Sequence, residues 1–286
     1  MEELLHLRKR YPNALLTAGM TDVGLWITKQ HRRFDRIISL CEVAELRDIS
    51  EKDGWLEIGA AVTYSEAFDT ISGYWPDFGE LLRRLGSVQI RNCGTIGGNV
   101  ANGSPIGDSP PPLIALGAEV CLRSLRGERI LPLEDFFVEY GKQDLRKGEI
   151  LAQVRVPLPK TRDTFRCYKL SKRFDQDISA LCGAYRFRLG RDGIARDVRI
   201  AYGGMAGVPQ RALKAETAIE GKPWTEGTLR DAIAAVAEDF SPLSDWRASA
   251  GYRQRAAANL LKRFYLETSG EAKLTRVLDS EVLAHG

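Results

Sequence analysis

The sequence predicts an α+β protein built from two units. Three observations carry this. From Leu46 the pattern becomes β-rich, and strand-like runs return at 119–125, 129–133 and 149–156. Pro157-Leu158-Pro159 then interrupts the chain, and beyond it three strand-like runs, TFRCYKLSKR, ALCGAYRFRL and DVRIAYGG, precede a block of helical patterns. With 286 residues, 44% hydrophobic and 28% charged, the chain can bury a sizeable core, and disorder is disfavoured.

Taken in order, Ala14 to Ala18 is a short apolar run, Thr21-Asp22 is a helix-start signal, and Val23 to Lys29 has helical spacing. Arg36 to Leu40 returns as a strand. From Leu46 the pattern becomes β-rich, with Lys52-Asp53-Gly54 as a hairpin turn before WLEIGAAV and helices near Ser65 to Ile71 and Asp77 to Leu85. Prolines 110–112 open a short apolar helix ending at Gly117, since proline is tolerated in a first turn. Strands at Glu119 to Leu125, Arg129 to Leu133 and Glu149 to Val156 complete a first unit over residues 1–157, divided near residue 50. The second unit, 162–268, closes with helical patterns at Gln210 to Glu220, Thr225 to Asp239 and Ala248 to Glu267. The segment 269–286 reads as a docking or disordered tail.

Charge and composition exclude several classes. The 41 Lys+Arg and 38 Asp+Glu are interspersed and leave a formal +3, so no basic field for nucleic acid or membrane surfaces stands out. Apolar runs such as Leu113 to Ala118 fall far short of a membrane span, and MEELLHLRKR is too charged for a signal peptide, so a soluble, cytoplasmic protein is expected. Five widely spaced cysteines fit reduced thiols better than a disulfide framework. Three histidines, two of them near the termini, offer no zinc site and no Ser-His-Asp triad. No residue is assigned as catalytic or metal-ligating, and any chemistry is expected to come from a cofactor.

The informative stretch is QIRNCGTIGGNVANGSPIGD, residues 89–108. Six glycines lie between Gly86 and Gly107, in a chain averaging about one in eleven. Small residues there leave peptide N–H groups uncovered and able to face an anion. Gly98 to Gly103 has G-x-x-x-x-G spacing, but Ser104-Pro105 stands where a P-loop needs Lys-Ser/Thr, and no G-x-G-x-x-G occurs. Composition is equally compatible with a sharp corner of a β-rich fold. A second turn of the same character, Leu16-Thr17-Ala18-Gly19-Met20-Thr21-Asp22, lies between a strand and a helix start, and two such loops could grip one long diphosphate ligand.

Together, AGMTDVG, IRNCGTIGGNVANGSPIGD, QDISALCGAYRF and AYGGMAGVPQRA resemble the FAD-binding portion of the molybdenum hydroxylases, over roughly Asn13 to Glu267. The wording NGSPIGD is most similar to xanthine dehydrogenase FAD subunits. The resemblance implies an FAD-binding unit of the vanillyl-alcohol-oxidase (PCMH) type with two small subdomains, followed by a sheet-plus-helices domain like the C-terminal domain of carbon monoxide dehydrogenase flavoproteins. It implies that Leu16, Thr17, Ala18, Gly19, Met20, Thr21, Asp22 and Val23 wrap the FAD diphosphate, and that Thr95, Gly97, Gly98 and Asn99 form a second cradle. Asp108 would accept hydrogen bonds from the ribose region. Leu85, Ile150 and Leu151 would contact the isoalloxazine, with Leu85 departing from relatives that carry an aromatic, and Lys169 would reach the flavin's polar edge. Arg173 to Asp177 resembles the charged loop beside the flavin, although Asp175 and Asp177 taken singly read as a solvated turn. Trp26, Trp55 and Trp75 receive no role, and Cys93 reads as small-residue packing.

The resemblance further implies noncovalent FAD in an oxidoreductase subunit of the xanthine dehydrogenase class, with NAD as co-substrate. The 2Fe-2S clusters and molybdopterin belong to partner chains or domains, since the C-x4-C-x2-C pattern is absent here. The chain is expected to be a separate FAD subunit or a fragment of a longer one, working in a higher oligomer. Alternatives are the flavoprotein of a carbon monoxide dehydrogenase-like or other aromatic hydroxylase, a scaffold that has lost its ligand, and a nucleotide-binding module without redox turnover.

Overall fold

The computed structural model describes residues 1–270. It opens with a helix that the sequence pattern did not reveal, α1 (Glu2–Arg10), which buries only Leu4 and Leu5. Glu2 and Glu3 occupy its first turn and Arg8, Lys9 and Arg10 its last, the charge order a helix dipole favours. β1 (Leu15–Thr17) leads through the AGMTD turn into α2 (Val23–Thr28), and β2 (Ile37–Ser39) pairs with β1 in parallel.

After a 3-10 turn at Ala44–Leu46, β3 (Ile49–Lys52) and β4 (Trp55–Gly59) form the expected hairpin. Its two-residue turn, Asp53-Gly54, has φ of +51° and +82°, the left-handed pair that matches strand twist. α3 (Tyr64–Tyr74) starts on a capping box, with Glu66 N donating to Thr63 Oγ1 at 3.1 Å and Thr63 N to Glu66 Oε2 at 2.8 Å. α4 (Pro76–Arg83) follows with proline in its first turn.

The glycine-rich stretch is more ordered than its composition suggests. It forms two short helices, α5 (Val88–Cys93) and α6 (Ile96–Asn102). Hydroxyls stabilise both starts: Ser87 accepts from Ile90 N and Thr95 from Gly98 N, offsetting the poor helix propensity of glycine. α7 (Pro110–Leu116) is wholly buried and ends at Gly117, φ +80°.

β5 (Glu119–Ser124) and β6 (Gly127–Pro132) form a hairpin, and a helical turn, α8 (Leu133–Phe136), leads to the small pair β7 (Phe137–Glu139) and β8 (Lys142–Gln143). β9 (Ile150–Pro157) then inserts between β4 and β5, giving a five-stranded antiparallel sheet in the order β3-β4-β9-β5-β6. β10 (Asp163–Leu170), β11 (Leu181–Leu189), β12 (Ala195–Gly203) and β13 (Gln210–Arg211) form a second antiparallel sheet in chain order. The helix expected from Gln210 begins later because Gln210 and Arg211 pair with Tyr202 and Ala201. α9 (Leu213–Ile219), α10 (Glu226–Asp239) and α11 (Ala250–Thr268) complete the described chain, and all but the first two residues of the expected tail lie outside the described residues.

Two cores dominate. The first mixes aliphatic and aromatic side chains, with Leu56, Ile58, Phe78, Ile96 and Val154 fully buried, and takes in Cys167, Cys182 and Ala201 from one face of the second sheet. The second is aromatic: Tyr185 stacks on Phe264 with centroids 5.1 Å apart, and Phe187 meets the same ring edge-on at 4.9 Å. α7 joins them. Its C-terminal carbonyls, Ile114 O and Ala115 O, accept from Arg199 Nε at 2.9 Å and Arg186 Nε at 3.1 Å, cations placed where a helix end favours them. No helix among the described residues is long and apolar enough to cross a membrane.

Candidate functional site

The two small-residue turns meet. A Cβ built on Gly19 would stand 1.8 Å from Cys93 O and 2.8 Å from Gly94 Cα, so the first turn lies directly against the second and only glycine fits. Gly97 is equally confined, its virtual Cβ 2.5 Å from Ala60 Cα. Asn102 Nδ2 donates to Asp22 Oδ2 at 2.8 Å, tying the segments together from the other side. In the first turn, Met20 holds φ at +57°, a conformation uncommon outside glycine and concentrated at functional sites. The amides of Gly19, Met20, Thr21 and Asp22 donate no hydrogen bond to any described residue.

Both turns line one long cavity of about 1230 Å3, beyond the roughly 300–1,000 Å3 of sites for compact small molecules. Its walls include every residue from Leu16 to Val23, together with Thr95, Gly97, Gly98, Asn99, Leu85, Asp108, Leu151 and Lys169. Ile150 is not among them. β9 alternates its side chains between faces, so Leu151 reaches the cavity while Ile150 packs, fully buried, with Leu4, Leu5 and Leu46. Ile150, expected beside the isoalloxazine, thus lies outside the cavity wall, and Leu151 is the one of the two that lines it.

Charge is sparse along the walls. The basic residues lining the cavity are Arg8, Arg32 and Lys169. Arg8 already donates to Pro12 O and Ala14 O at 2.9 and 3.1 Å, and burial lowers its pKa. Asp22 contributes an acid rather than a base, and burial raises its pKa. Asn99 Oδ1 is buried without a hydrogen-bond partner among the described residues. A site so arranged meets an anion with backbone dipoles and amides rather than with a lysine clamp.

At the other end, Lys169 leaves β10 beneath the cavity with its side chain 2% exposed and ion-paired to Asp108. The second Asp108 oxygen accepts from Ser179 Oγ at 2.6 Å. Asp108 thus lines the cavity with both carboxylate oxygens engaged by the protein, where the resemblance implied a ribose acceptor. The charged loop lies beside this end: Gln176, Asp177 and Ile178 line the cavity. Asp177 is more than a solvated turn residue. It accepts from Arg173 N at 2.9 Å and Ile178 N at 3.0 Å, and those amides hold its carboxyl below the usual range. Arg84 fastens the loop to the end of α4, with Nε donating to Phe174 O at 3.0 Å and the guanidinium 4.6 Å from the Phe174 ring centroid.

Sequence reasoning missed several wall residues. Tyr64, 3% exposed, lies behind the second turn with its hydroxyl 2.6 Å from Ser109 Oγ, and burial drives its pKa up. Its position at a helix start directly after a capping Thr was the available signal. Trp26, Arg32 and Phe34 line the far end, with the Arg32 guanidinium 4.8 and 5.2 Å from the two ring centroids. Their clustering at residues 26–34, beside the first turn, was visible but unspecific.

Residues 1–159 match the family described as the FAD binding domain in molybdopterin dehydrogenase, and residues 166–268 the CO dehydrogenase flavoprotein C-terminal domain. The chain is 32% identical over 276 residues to a xanthine dehydrogenase FAD-binding subunit of Escherichia coli O157:H7, covering 95% of this chain and 94% of that one. It is 33% identical over 254 residues to xanthine dehydrogenase 1 of Arabidopsis thaliana, covering 84% of this chain but only 19% of that relative, so it spans about a fifth of such proteins. Among solved structures, reconstituted CO dehydrogenase from Oligotropha carboxidovorans superposes with a TM-score of 0.87 at 26% identity, covering 95% of both chains. The paired turns, the long cavity and these likenesses converge: the chain belongs to the FAD-binding subunits of the xanthine dehydrogenase and CO dehydrogenase-like molybdenum hydroxylases.

Proposed function

We propose that this chain is the flavin component of a xanthine dehydrogenase-like enzyme, holding FAD noncovalently in the long cavity. The observation that carries the reading is the apposition of two small-residue turns along a cavity with few cations, the amides of Gly19 to Asp22 in the first having no partner among the described residues. Free N–H groups of Gly19 to Asp22 suit a diphosphate, and the unpartnered Asn99 Oδ1 can accept from a hydroxyl beside it. When bound, FAD supplies the redox chemistry, taking electrons from 2Fe-2S clusters and giving hydride to NAD.

The residues have distinct tasks. Leu16 to Val23 with Thr95, Gly97, Gly98 and Asn99 orient the diphosphate; Leu85 and Leu151 exclude water along the ring; Lys169, aimed by Asp108 and Ser179, places a positive charge at the ring's polar edge. Ser179 fixes Asp108, and Asp108, paired with Lys169, limits the directions the lysine can take. Molybdopterin and the 2Fe-2S clusters reside on partner subunits, within a higher oligomer in the cytoplasm, and the oxidised substrate is a purine. Relatives named xanthine dehydrogenase support this ahead of a CO dehydrogenase-like assignment.

The test is purification of the chain followed by anaerobic addition of NADH. A yellow protein that releases free FAD on denaturation, and whose flavin is bleached by NADH, is expected. A colourless chain that ignores added FAD overturns the cofactor reading, while a flavin inert to NADH overturns the acceptor.

A further inference from the structure

A second cavity, of about 540 Å3, shares no lining residue with the first. It lies where the two sheets meet, walled by the end of α3, the start of α4, the end of α7, the linker after β9 and three strands of the second sheet. Phe165 and Arg166 belong to β10, the strand that carries Lys169, but stand three to four residues nearer its start, roughly 10 Å along it.

One wall is apolar, formed by Trp75, Leu116, Leu158 and Phe165, and the other carries Lys160, Arg166, Arg186 and Arg199 with Asp77 and Asp163. These cations are unequally matched. Arg199 gives Nη2 to Glu134 at 2.6 Å, and Arg166 meets Glu267 at 3.2 Å and Asp77 at 3.6 Å. Arg186 has a single hydrogen bond, from Nε to Ala115 O. Its nearest carboxylate, Asp163, is 3.9 Å from Nη1, is shared with Arg188 at 3.6 Å and already accepts from Lys160 N at 2.9 Å. Burial, and then the crowding of Arg199, Arg188 and Arg211 against the opposing pull of Asp163, lowers the pKa of Arg186. The Lys160 ammonium has no hydrogen-bond partner among the described residues. Two cations short of acceptors thus share a cavity with an aromatic wall.

We propose that this junction cavity binds a planar aromatic carboxylate, with the ring on Trp75 and Phe165 and the carboxylate on Arg186 and Lys160. An inorganic anion would leave the apolar wall wet, and Asp77 and Asp163 in the same wall weigh against a dianion. A ligand held between walls from both sheets also stabilises their packing by mass action.

The test is calorimetric titration of the full, flavin-loaded chain with 2-naphthoate, neutral 2-naphthol and inorganic phosphate, followed by thermal melts. Naphthoate is expected to bind at one site and raise Tm, with the other two weaker by about tenfold or more. Lys160→Glu alters an exposed side chain and is expected to weaken naphthoate by about tenfold or more at unchanged FAD content and Tm. Arg186→Gln should weaken naphthoate likewise, with a lower Tm from the lost bond to Ala115 O and a circular dichroism spectrum to verify the fold. Absence of naphthoate binding, equal binding of naphthol or phosphate, or full affinity in Lys160→Glu overturns the proposal. FAD content, measured in parallel, reports separately on the cofactor site.

Discussion

The glycine turns of the first domain and the aromatic core of the second are specified in opposite ways. At Gly19 and Gly97 the structure requires that a side chain be missing, because a single carbon would strike Cys93 O or Ala60. Around Phe264 it requires that one be present, because Tyr185, Phe187 and Trp224 all pack on that ring, 1% exposed. On the proposed reading, flavin binding in the first region depends on bare backbone and stability in the second on buried area, so equally small substitutions should separate the two properties.

The largest effect on stability is expected from Phe264→Ala, about 3–5 kcal/mol by urea denaturation, from lost burial and the cavity left behind. The surviving folded fraction should keep its flavin; flavin loss without destabilisation would break the contrast. Gly19→Ala should act the other way, weakening FAD by about a hundredfold in a flavin-fluorescence titration, while the overpacking itself costs about 1–3 kcal/mol.

Asp22→Asn probes the acid beside the first turn. Burial raises the folded pKa of Asp22 above its ordinary 3.8, so the ionised form is disfavoured in the fold and the associated stability declines as pH rises through the folded pKa. The variant should therefore have a higher Tm than the native apo-chain at neutral pH, a gain that vanishes as pH falls toward 3.8. An unchanged difference across that range would remove Asp22 from the account. Smallest is Gly24→Ala in α2, where a Cβ meets nothing within 4 Å. It should stabilise by about 0.5–1 kcal/mol and leave flavin content alone, showing that crowding rather than glycine as such defines the cradle.

What was legible in the sequence follows the same division. AGMTD and GTIGGN stood out because turns packed backbone against backbone leave small residues in a row. The Asp53-Gly54 hairpin was readable because its turn type admits few residues. Ile150 was misjudged because two adjacent apolar residues in a strand look alike until the sheet fixes which face is which. The engagement of Asp108 by Lys169 and Ser179 joins residues 61 and 71 positions apart, beyond any local pattern. α1 escaped because nine residues with two buried leucines carry little periodic signal.

The most direct measurement is FAD bound per chain after gel filtration, compared between the native protein, Gly19→Ala and Gly24→Ala. The account predicts close to one FAD in the native chain and in Gly24→Ala, and a flavin-depleted but folded Gly19→Ala. Equal flavin in all three, or none in the native chain after incubation with FAD, would contradict it.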